Sequence, residues 1–363
     1  VGPVIDAEAQ AGITQHIEKF KAQGHRVFQH PNHVSAVSAP GTFVPPTLIE
    51  LNHIGELQRE VFGPVLHLVR YARKDLDQLL DQINATGYGL TQGVHTRIDE
   101  TIARVVDRAH AGNVYVNRNM VGAVVGVQPF GGEGLSGTGP KAGGPLYLLR
   151  LLSQRPANAL ARTLAEADRT SPPDTERRDR QLAPLGTLQQ WAHHQGDLAL
   201  AGHCQRFAQE TQSGTARTLP GPTGERNVYT LAPRARVLCL APSADDLLVQ
   251  TAAVLASGGT ALWPSAQASL HAKLPTQVQA QVTLQDNVLS NAAVALDAVL
   301  HHGDAPALQT VCTALAQRPG PIVGVTALPP GAVDIPLERL LIERALSVNT
   351  AAAGGNASLM TIG

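Results

Sequence analysis

The stretch GNVYVNRNMVGAVVGVQPFGGEGLSGTG, at residues 112–139, decides the fold of the first part of the chain. It begins with residues 112–117, a β-branched and apolar run that predicts a buried strand. This strand leads into a glycine-rich loop, and exposed backbone N–H groups in such loops form concavities that bind anions. Phe130 follows Pro129 in the loop, where an aromatic ring can pack on a substrate. We therefore expect a strand that delivers an anion-binding loop with an aromatic wall.

Residues 132–137 of this loop match the pattern G-x-G-x-x-G, which is found in dinucleotide-binding turns. Such a turn directly follows a strand and opens a helix. Here the match does not directly follow the predicted strand, and residues 138–145, TGPKAGGP, cannot begin a regular helix. We therefore reject the match as a dinucleotide fingerprint.

Alternating helical and strand-like patterns surround this stretch and predict an α/β fold, in which parallel strands are joined by helices. Residues 1–152 form the first predicted domain, with helices at 5–22, 75–85 and 100–109 and strands at 47–51, 65–71 and 93–96. A second βαβ pattern predicts a smaller Rossmann-like domain at residues 186–339. Its predicted strands are 237–241, 261–264 and 321–327, and its predicted helices are 246–256, 292–300 and 305–317.

Two further segments complete the predicted organisation. Residues 153–185 include a charged, proline-containing run without aromatic residues, which predicts a linker or surface segment. Residues 340–363 run from a short predicted helix into AAAGGNAS, and such a tail is flexible unless it is tied down.

The composition favours a globular protein of the cytoplasm. Hydrophobic residues make up 43% and charged residues 16%, which is enough apolar material for sizeable cores. The net charge of −1 gives no basic footprint for nucleic acid. The longest apolar runs are too short to span a bilayer, and the N-terminus lacks the features of a signal peptide. Three scattered cysteines argue against a disulfide framework and fit a reducing compartment.

The first residue is Val1, and the chain's only methionines are Met120 and Met360. We therefore expect the chain to be a fragment of a longer polypeptide.

Residues 60–64, EVFGP, form a second candidate site ahead of a predicted strand. The carboxylate of Glu60 can accept hydrogen bonds from ribose hydroxyls, and Phe62 offers a flat apolar face to a nicotinamide ring. Gly63-Pro64 makes a tight turn that fixes both side chains. The alternative is a surface glutamate and a core phenylalanine before a turn. Residues 87–94, GYGLTQGV, are interpreted as a turn into a buried strand with a structural role.

Taken in order, the motifs E-x-F-G-P, G-Y-G-L-T, G-N-V-Y-V-N and P-F-G-G with S-G-x-G resemble the aldehyde dehydrogenase superfamily. Residues 117–132 are similar to the L-glutamate γ-semialdehyde (pyrroline-5-carboxylate) dehydrogenases of bacterial bifunctional proline-catabolism enzymes. The resemblance covers residues 1–150. Residues 221–227 and 350–363 look like the C-terminal domain of the longer enzymes of this group, which is Rossmann-like but not catalytic.

The resemblance implies a role for each candidate residue. Glu60 would bind the ribose on the nicotinamide side of NAD, and Phe62 would pack on the nicotinamide. Backbone N–H groups of Gly122 and Ala123 would bind the substrate's α-carboxylate, and Phe130 would line its aliphatic chain. FAD is implied only for a proline dehydrogenase domain outside this chain. The implied partners are glutamate semialdehyde, the missing N-terminal portion of the same polypeptide and further copies in a homo-oligomer.

The implied reaction is NAD-dependent oxidation of glutamate semialdehyde to glutamate through a covalent thioester. Its nucleophilic Cys and general-base Glu are expected upstream, so we predict no catalytic residue in this chain and no activity of the chain alone. We expect Cys239 to be buried in a strand. We expect Cys312 to lie on the apolar side of a helix. Cys204 looks the least buried of the three.

Three alternatives remain beside this interpretation. The chain could be a non-catalytic scaffold or lid that covers a dehydrogenase and supports substrate channelling. An independent dinucleotide-binding domain at 186–330 is disfavoured, because GPTGERN at 221–227 precedes the first strand and no acidic residue closes the second. A metal site is not expected, since the pairs His193-His194 and His301-His302 lack ligand spacing.

Overall fold

The structure is a computed structural model that describes residues 1–29, 41–125, 127–137, 139–152, 155–156, 159–165, 168–169 and 175–351. The chain forms two compact units, Val1–Thr86 and Gly87–Gly363. The units divide at residue 86, inside the predicted first domain. The predicted boundaries at 152, 185 and 339 stay predictions.

The first unit packs helix α1 (Ala7–Ala22) on a small three-stranded sheet. The sheet consists of β1 (Arg26–Gln29), β2 (Thr47–Leu51) and β3 (Val65–Val69), with β2 antiparallel to β1 and parallel to β3. One apolar stripe of α1 is buried because its residues recur at helical spacing, and the stripe consists of Ile13, Ile17 and Phe20. Helix α2 (Leu76–Ala85) completes the unit, with 3-10 turns at Ile54–Glu56 and Arg73–Asp75.

The second unit contains the remaining elements. Its helices are α3 (Asp99–Arg108), α4 (Ala159–Ala165), α5 (Thr175–His194), α6 (Leu198–Glu210), α7 (Ala244–Ser257), α8 (Ala268–His271), α9 (Thr276–Gln279) and α10 (Ala305–Gln317), with 3-10 turns at Leu148–Arg150, Ser265–Gln267 and Leu337–Leu340. Its strands are β4 (Tyr88–Gly89), β5 (Thr91–Val94), β6 (Asn113–Val116), β7 (Glu133–Gly134), β8 (Asp168–Arg169), β9 (Ala216–Leu219), β10 (Glu225–Pro233), β11 (Arg236–Leu240), β12 (Thr260–Trp263), β13 (Val282–Leu284), β14 (Ala298–His302), β15 (Gly324–Leu328) and β16 (Leu341–Asn349).

A six-stranded mixed sheet joins distant parts of the sequence. Its strand order is β5-β6-β16-β10-β9-β8. Strands β5, β6 and β16 are parallel to one another, whereas β10 runs antiparallel to β16 along nine residue pairs. The long antiparallel ribbon of β10 and β16 therefore extends the sheet that begins with β5 and β6. This ribbon lies beside the strand that delivers the glycine-rich loop.

A separate five-stranded sheet confirms the predicted Rossmann-like α/β fold. All neighbouring strands in the order β13-β12-β11-β14-β15 are parallel. Helix α7 begins at a Ser243 cap whose hydroxyl accepts a hydrogen bond from the Asp246 N–H at 3.1 Å, and it ends at Gly258 with φ of 84°. Trp263 and Leu300 are fully buried in the core between this sheet and its helices.

Three local predictions are wrong. The predicted helix at 292–300 is absent from these described residues, and residues 298–302 form β14, because a short apolar run buried on both faces fits a central parallel strand as well as a helix. Residues 341–349 form β16, so the start of the predicted tail is tied into a sheet. Helix α4 and the first half of α5 lie inside the predicted linker, where Leu185 is buried. The rest of the predicted tail, from residue 352, lies outside the described residues.

Among the described helices, none is both long enough and apolar enough to cross a membrane.

Candidate functional site

Glu60 and Phe62 lie on the surface of the first unit, just before β3. The Phe62 side chain is 86% exposed, and Glu60 is exposed as well. Gly63 fixes the turn after them, because its carbonyl accepts a hydrogen bond from the Val65 N–H at 2.8 Å and a Cβ at this position would clash with the Ile13 side chain. Within this unit the Phe62 ring is therefore not part of a core, and it is free there to meet a ligand.

In the second unit, β6 delivers the chain into the glycine-rich loop through a sharp turn at Asn117. Asn117 has a φ of 56°, a left-handed conformation that asparagine tolerates better than most residues. Its side-chain amide forms two hydrogen bonds with the backbone of Thr96. It accepts from the Thr96 N–H at 2.9 Å and donates to the Thr96 carbonyl at 2.9 Å. The loop therefore leaves the sheet from a fixed point.

Gly122 and Ala123 lie at the outer part of this loop, Gly122 exposed and Ala123 half-buried. The N–H of the next residue, Val124, donates to Gln128 Oε1 at 2.9 Å, and the Gln128 N–H donates back to the Val124 carbonyl at 2.9 Å. No described residue accepts a hydrogen bond from the N–H of Gly122 or Ala123. Two consecutive donors are thus available beside a fixed turn, as carboxylate binding by a loop requires.

Phe130 is half-buried, and its backbone and the residues next to it are fixed by hydrogen bonds. Its N–H and carbonyl both pair with Ala142, at 3.0 and 2.8 Å. Asn113 on β6 donates to the Pro129 carbonyl at 2.9 Å and accepts from the Gly131 N–H at 3.2 Å. The residues on either side of Phe130 are therefore fixed by a single buried asparagine.

Lys141 is a buried residue of the site that the sequence prediction missed. Its side chain is fully enclosed, and its ammonium donates to Asn113 Oδ1 at 2.9 Å and to the Gly131 carbonyl. Burial lowers the pKa of Lys141 to about 8. Glu343 on β16 accepts from the Lys141 N–H at 2.8 Å and from the Tyr229 hydroxyl at 2.7 Å. Burial raises the pKa of the Glu343 carboxyl and of the Tyr229 hydroxyl.

The structure thus distributes the predicted site residues over the two units. Glu60 and Phe62 share one turn of the first unit, and Gly122, Ala123 and Phe130 share one tethered loop of the second. Asn113, Gln128 and Lys141 are missed residues that had a signal in the sequence. Each is a polar residue in a run that is otherwise apolar or rich in glycine.

The observed burial of the three cysteines differs from the expected order. Cys204 is fully buried, because it faces the core between α6 and its neighbours, and burial raises the pKa of its thiol to about 12. Cys239 is fully buried in β11, and burial also raises its pKa. Cys312 is exposed, because it lies on the outer face of α10 rather than on the apolar side. Neither buried thiol is suited to act as a nucleophile.

We expect one of the three thiols to react quickly with a chromogenic aromatic disulfide in the native chain at about pH 8. Cys312 is exposed, whereas Cys204 and Cys239 are enclosed and held as neutral thiols. Absorbance of the released thiolate measures the count, and the denatured chain, with all three thiols reacting, is the control. Loss of the fast phase in Cys312→Ser completes the assignment. A fast phase that persists in that variant would contradict the described burial.

The strand order of the Rossmann-like sheet reverses between β11 and β14. The crevice at this point is occupied by residues of the chain itself. His302 at the end of β14 contacts Gln250 Nε2 at 2.8 Å and the Ala332 carbonyl at 2.8 Å. Asp246 accepts from the Gly331 N–H at 2.9 Å. Ligands of such sheets bind in this crevice, so a crevice closed by the chain's own loop disfavours an independent dinucleotide site.

Within the described part of the chain, no group of three or more His, Cys, Asp or Glu side chains is arranged to hold a metal ion. His193 and His194 are the last two residues of α5, and His301 and His302 end β14.

Residues 1–155 match the sequence profile of the Aldehyde dehydrogenase family. The whole chain is also related to the bifunctional PutA proteins. It is 58% identical over 368 residues to Bifunctional protein PutA of Salmonella typhimurium, covering 100% of this chain and 28% of that protein. With the Rhizobium meliloti protein of the same name the identity is 45%, covering 100% of this chain and 29% of that protein. The chain thus spans less than a third of the length of these relatives.

Two further comparisons concern a shorter relative and a solved structure. The 1-pyrroline-5-carboxylate dehydrogenase 2 of Bacillus subtilis is 41% identical over 150 residues, which are 41% of this chain and 28% of that protein. The solved structure of PutA from Corynebacterium freiburgense has a TM-score of 0.56 and 21% identity, covering 90% of this chain and 29% of that chain. The likeness to the Corynebacterium freiburgense structure confirms the fold class. The predicted relation to aldehyde dehydrogenases and bifunctional proline-catabolism enzymes is confirmed as well.

Proposed function

We propose that this chain supplies the substrate loop and part of the cofactor site of an NAD-dependent L-glutamate γ-semialdehyde dehydrogenase, within a larger bifunctional enzyme of proline catabolism. The observation that carries the proposal is the tethered loop, in which the N–H groups of Gly122 and Ala123 find no described acceptor and the backbone of Phe130 is fixed by its pairing with Ala142. Relatives named 1-pyrroline-5-carboxylate dehydrogenase are 41% identical to this chain over 150 residues.

The loop suits a short aldehyde that carries a carboxylate. Two adjacent N–H donors can bind the α-carboxylate, and the half-buried Phe130 ring can pack on the methylene groups. Hydrogen bonds to a charged group hold the substrate in one orientation, so the aldehyde end projects away from the loop. We assign Gly122 and Ala123 to carboxylate binding and Phe130 to the apolar wall.

The cofactor residues fit a nicotinamide ribose. Phe62 presents an exposed aromatic face, and Glu60, two residues away, presents an exposed carboxylate that can accept from ribose hydroxyls. When bound, NAD⁺ would accept the hydride of the reaction. In our proposal Phe62 packs on the nicotinamide and Glu60 holds its ribose.

The covalent steps belong to the part of the polypeptide that precedes this chain. The reaction needs a thiolate nucleophile and a general base. Cys204 and Cys239 are buried neutral thiols, and Cys312 lies on α10, beyond the segment that matches the dehydrogenase family. We therefore place the nucleophilic Cys and the base Glu upstream. We assign a non-catalytic covering role to the Rossmann-like domain, and the filled crevice at His302 supports this role.

Substrate preference in a polypeptide extended upstream through the nucleophilic Cys tests this proposal. We expect NADH to form from glutamate semialdehyde with a kcat/KM at least about tenfold above that for butanal, because butanal lacks the α-carboxylate and the α-ammonium group. Absorbance of NADH measures both rates in the same preparation. Equal kcat/KM values for the two aldehydes would contradict the substrate assignment while leaving the reaction class intact.

A further inference from the structure

We infer that Glu225, at the start of β10, is a positioning residue for the carboxylate-binding loop, and this inference rests on the function proposed above. Glu225 belongs to the segment GPTGERN at 221–227, which the family match over residues 1–155 does not include. The described contacts connect it to the loop by two successive hydrogen bonds.

Gln128 is the link between Glu225 and the loop. Its side chain is buried, with Nε2 donating to Glu225 Oε1 at 2.6 Å and Oε1 accepting from the Val124 N–H at 2.9 Å. The orientation of the amide is determined chemically, because a backbone N–H can only donate and a carboxylate can only accept. Val124 directly follows Ala123, so the carboxylate of Glu225 fixes the residue next to the proposed donors.

Glu225 is itself held by a cation and by the ribbon. Arg118, at the start of the loop, donates to Glu225 Oε2 at 2.5 Å, and both side chains are 15% exposed. The Arg118 guanidinium also lies 5.1 Å from the centre of the Tyr115 ring, which favours one orientation. The residues at the two ends of the loop, Arg118 and Gln128, therefore both donate hydrogen bonds to the Glu225 carboxylate.

A second contact brings the same segment against the loop. A Cβ at Gly221 would clash with the Asn227 amide and would lie 3.6 Å from Val127 Cγ1, so the turn at Gly221 packs closely on the loop. Asn227 is fixed in turn, because its Oδ1 accepts from the Ser347 hydroxyl on β16 at 2.7 Å. The β10–β16 ribbon thus provides a rigid base, and Glu225 transmits its position to the substrate loop.

Removing this carboxylate should loosen the loop without touching the reacting atoms. In Glu225→Ala, Arg118 loses its acceptor and Gln128 Nε2 keeps only its longer hydrogen bond to Asn227 Oδ1 at 3.4 Å, so the donors of Gly122 and Ala123 no longer hold one geometry. We expect the KM for glutamate semialdehyde to rise about tenfold with kcat little changed. We expect kcat/KM for butanal, which has no carboxylate, to stay unchanged. Glu225→Gln keeps an acceptor for Gln128 and should give an intermediate KM.

Glu338→Ala is the matched control. Glu338 is a buried carboxylate of the same unit, ion-paired with Arg155 at 2.7 Å, with no described contact to the loop. It should leave the ratio of kcat/KM between the two aldehydes unchanged. If Glu225→Ala does not fold, as judged by circular dichroism, the Glu225→Gln variant carries the test.

The experiment uses the upstream-extended, NAD-dependent enzyme and both aldehydes. A selective rise of KM for glutamate semialdehyde in the Glu225 variants supports the inference. An unchanged KM, or an equal loss with both aldehydes, overturns it while the proposed function stands. An unsubstituted enzyme that oxidises butanal but not glutamate semialdehyde overturns the proposed function, and this inference with it.

Discussion

Replacing Ala123 by proline is expected to raise the KM for glutamate semialdehyde by about 10- to 100-fold, because it removes one of the two backbone donors proposed to bind the α-carboxylate. A hydrogen bond to a charged group contributes about 1.5–3 kcal/mol, which corresponds to that range of affinity. The carboxylate is bound equally in the ground and transition states, so kcat should change little. Steady-state NADH formation by the upstream-extended enzyme measures both constants.

Val125→Pro is the control for this substitution. Val125 is 95% exposed on the same loop, and its N–H has no proposed role. The control therefore introduces the same ring and the same loss of a donor two residues away. Comparable KM values in the two variants would mean that the loop tolerates either change and that the Ala123 N–H does not bind the substrate.

Replacing Lys141 by methionine is expected to destabilise the second unit by about 2–4 kcal/mol at about pH 8, because two buried acceptors each lose the hydrogen bond from the Lys141 ammonium. Those acceptors are Asn113 Oδ1 and the Gly131 carbonyl, and Asn113 also binds the residues on either side of Phe130. Methionine fills a similar volume, so the loss reports the hydrogen bonds rather than a cavity. Urea unfolding monitored by circular dichroism measures the change, and Lys273→Met, at an exposed lysine, is the control.

The pH dependence of this difference has a defined sign. The pKa of Lys141 falls from 10.5 in the unfolded chain to about 8 in the folded one, so the unfolded chain binds more protons between these values. The free energy of unfolding of the unsubstituted chain therefore rises with pH across this window, by up to about 3 kcal/mol relative to Lys141→Met. A difference between the two proteins that stays constant from pH 8 to pH 10.5 would contradict the burial of a charged amine.

The regular elements were predictable where one physical signal dominates. Helix α10 was placed at its observed limits because its apolar residues recur at helical spacing after Asp304, whose side chain caps the helix by accepting from the Ala307 N–H at 2.9 Å. Strand β16 was missed because Glu343 and Ser347 occupy its buried face, which hides the alternation of apolar and polar residues. Those polar residues are buried because they bind Lys141 and Asn227.

The same reason limits how much of the site could be predicted. The loop and its candidate residues followed from local motifs at 60–64 and 112–139. The tethers did not, because Glu225 lies 97 residues from Gln128 and Glu343 lies 202 residues from Lys141 in the sequence. A carboxylate in a predicted turn or tail gives no local signal of a partner so far away. Only the pairing of β16 with β6 and β10 brings these groups together.

The placement of the nucleophile upstream of this chain is tested by NADH formation from glutamate semialdehyde, measured for this chain alone and for the form extended upstream through the nucleophilic Cys. We expect activity only in the extended form, because in our proposal this chain binds substrate and cofactor groups but its described residues hold no reactive thiol at the site. NADH formation by Val1–Gly363 alone would contradict it, since Cys204, Cys239 or Cys312 would then have to be the nucleophile.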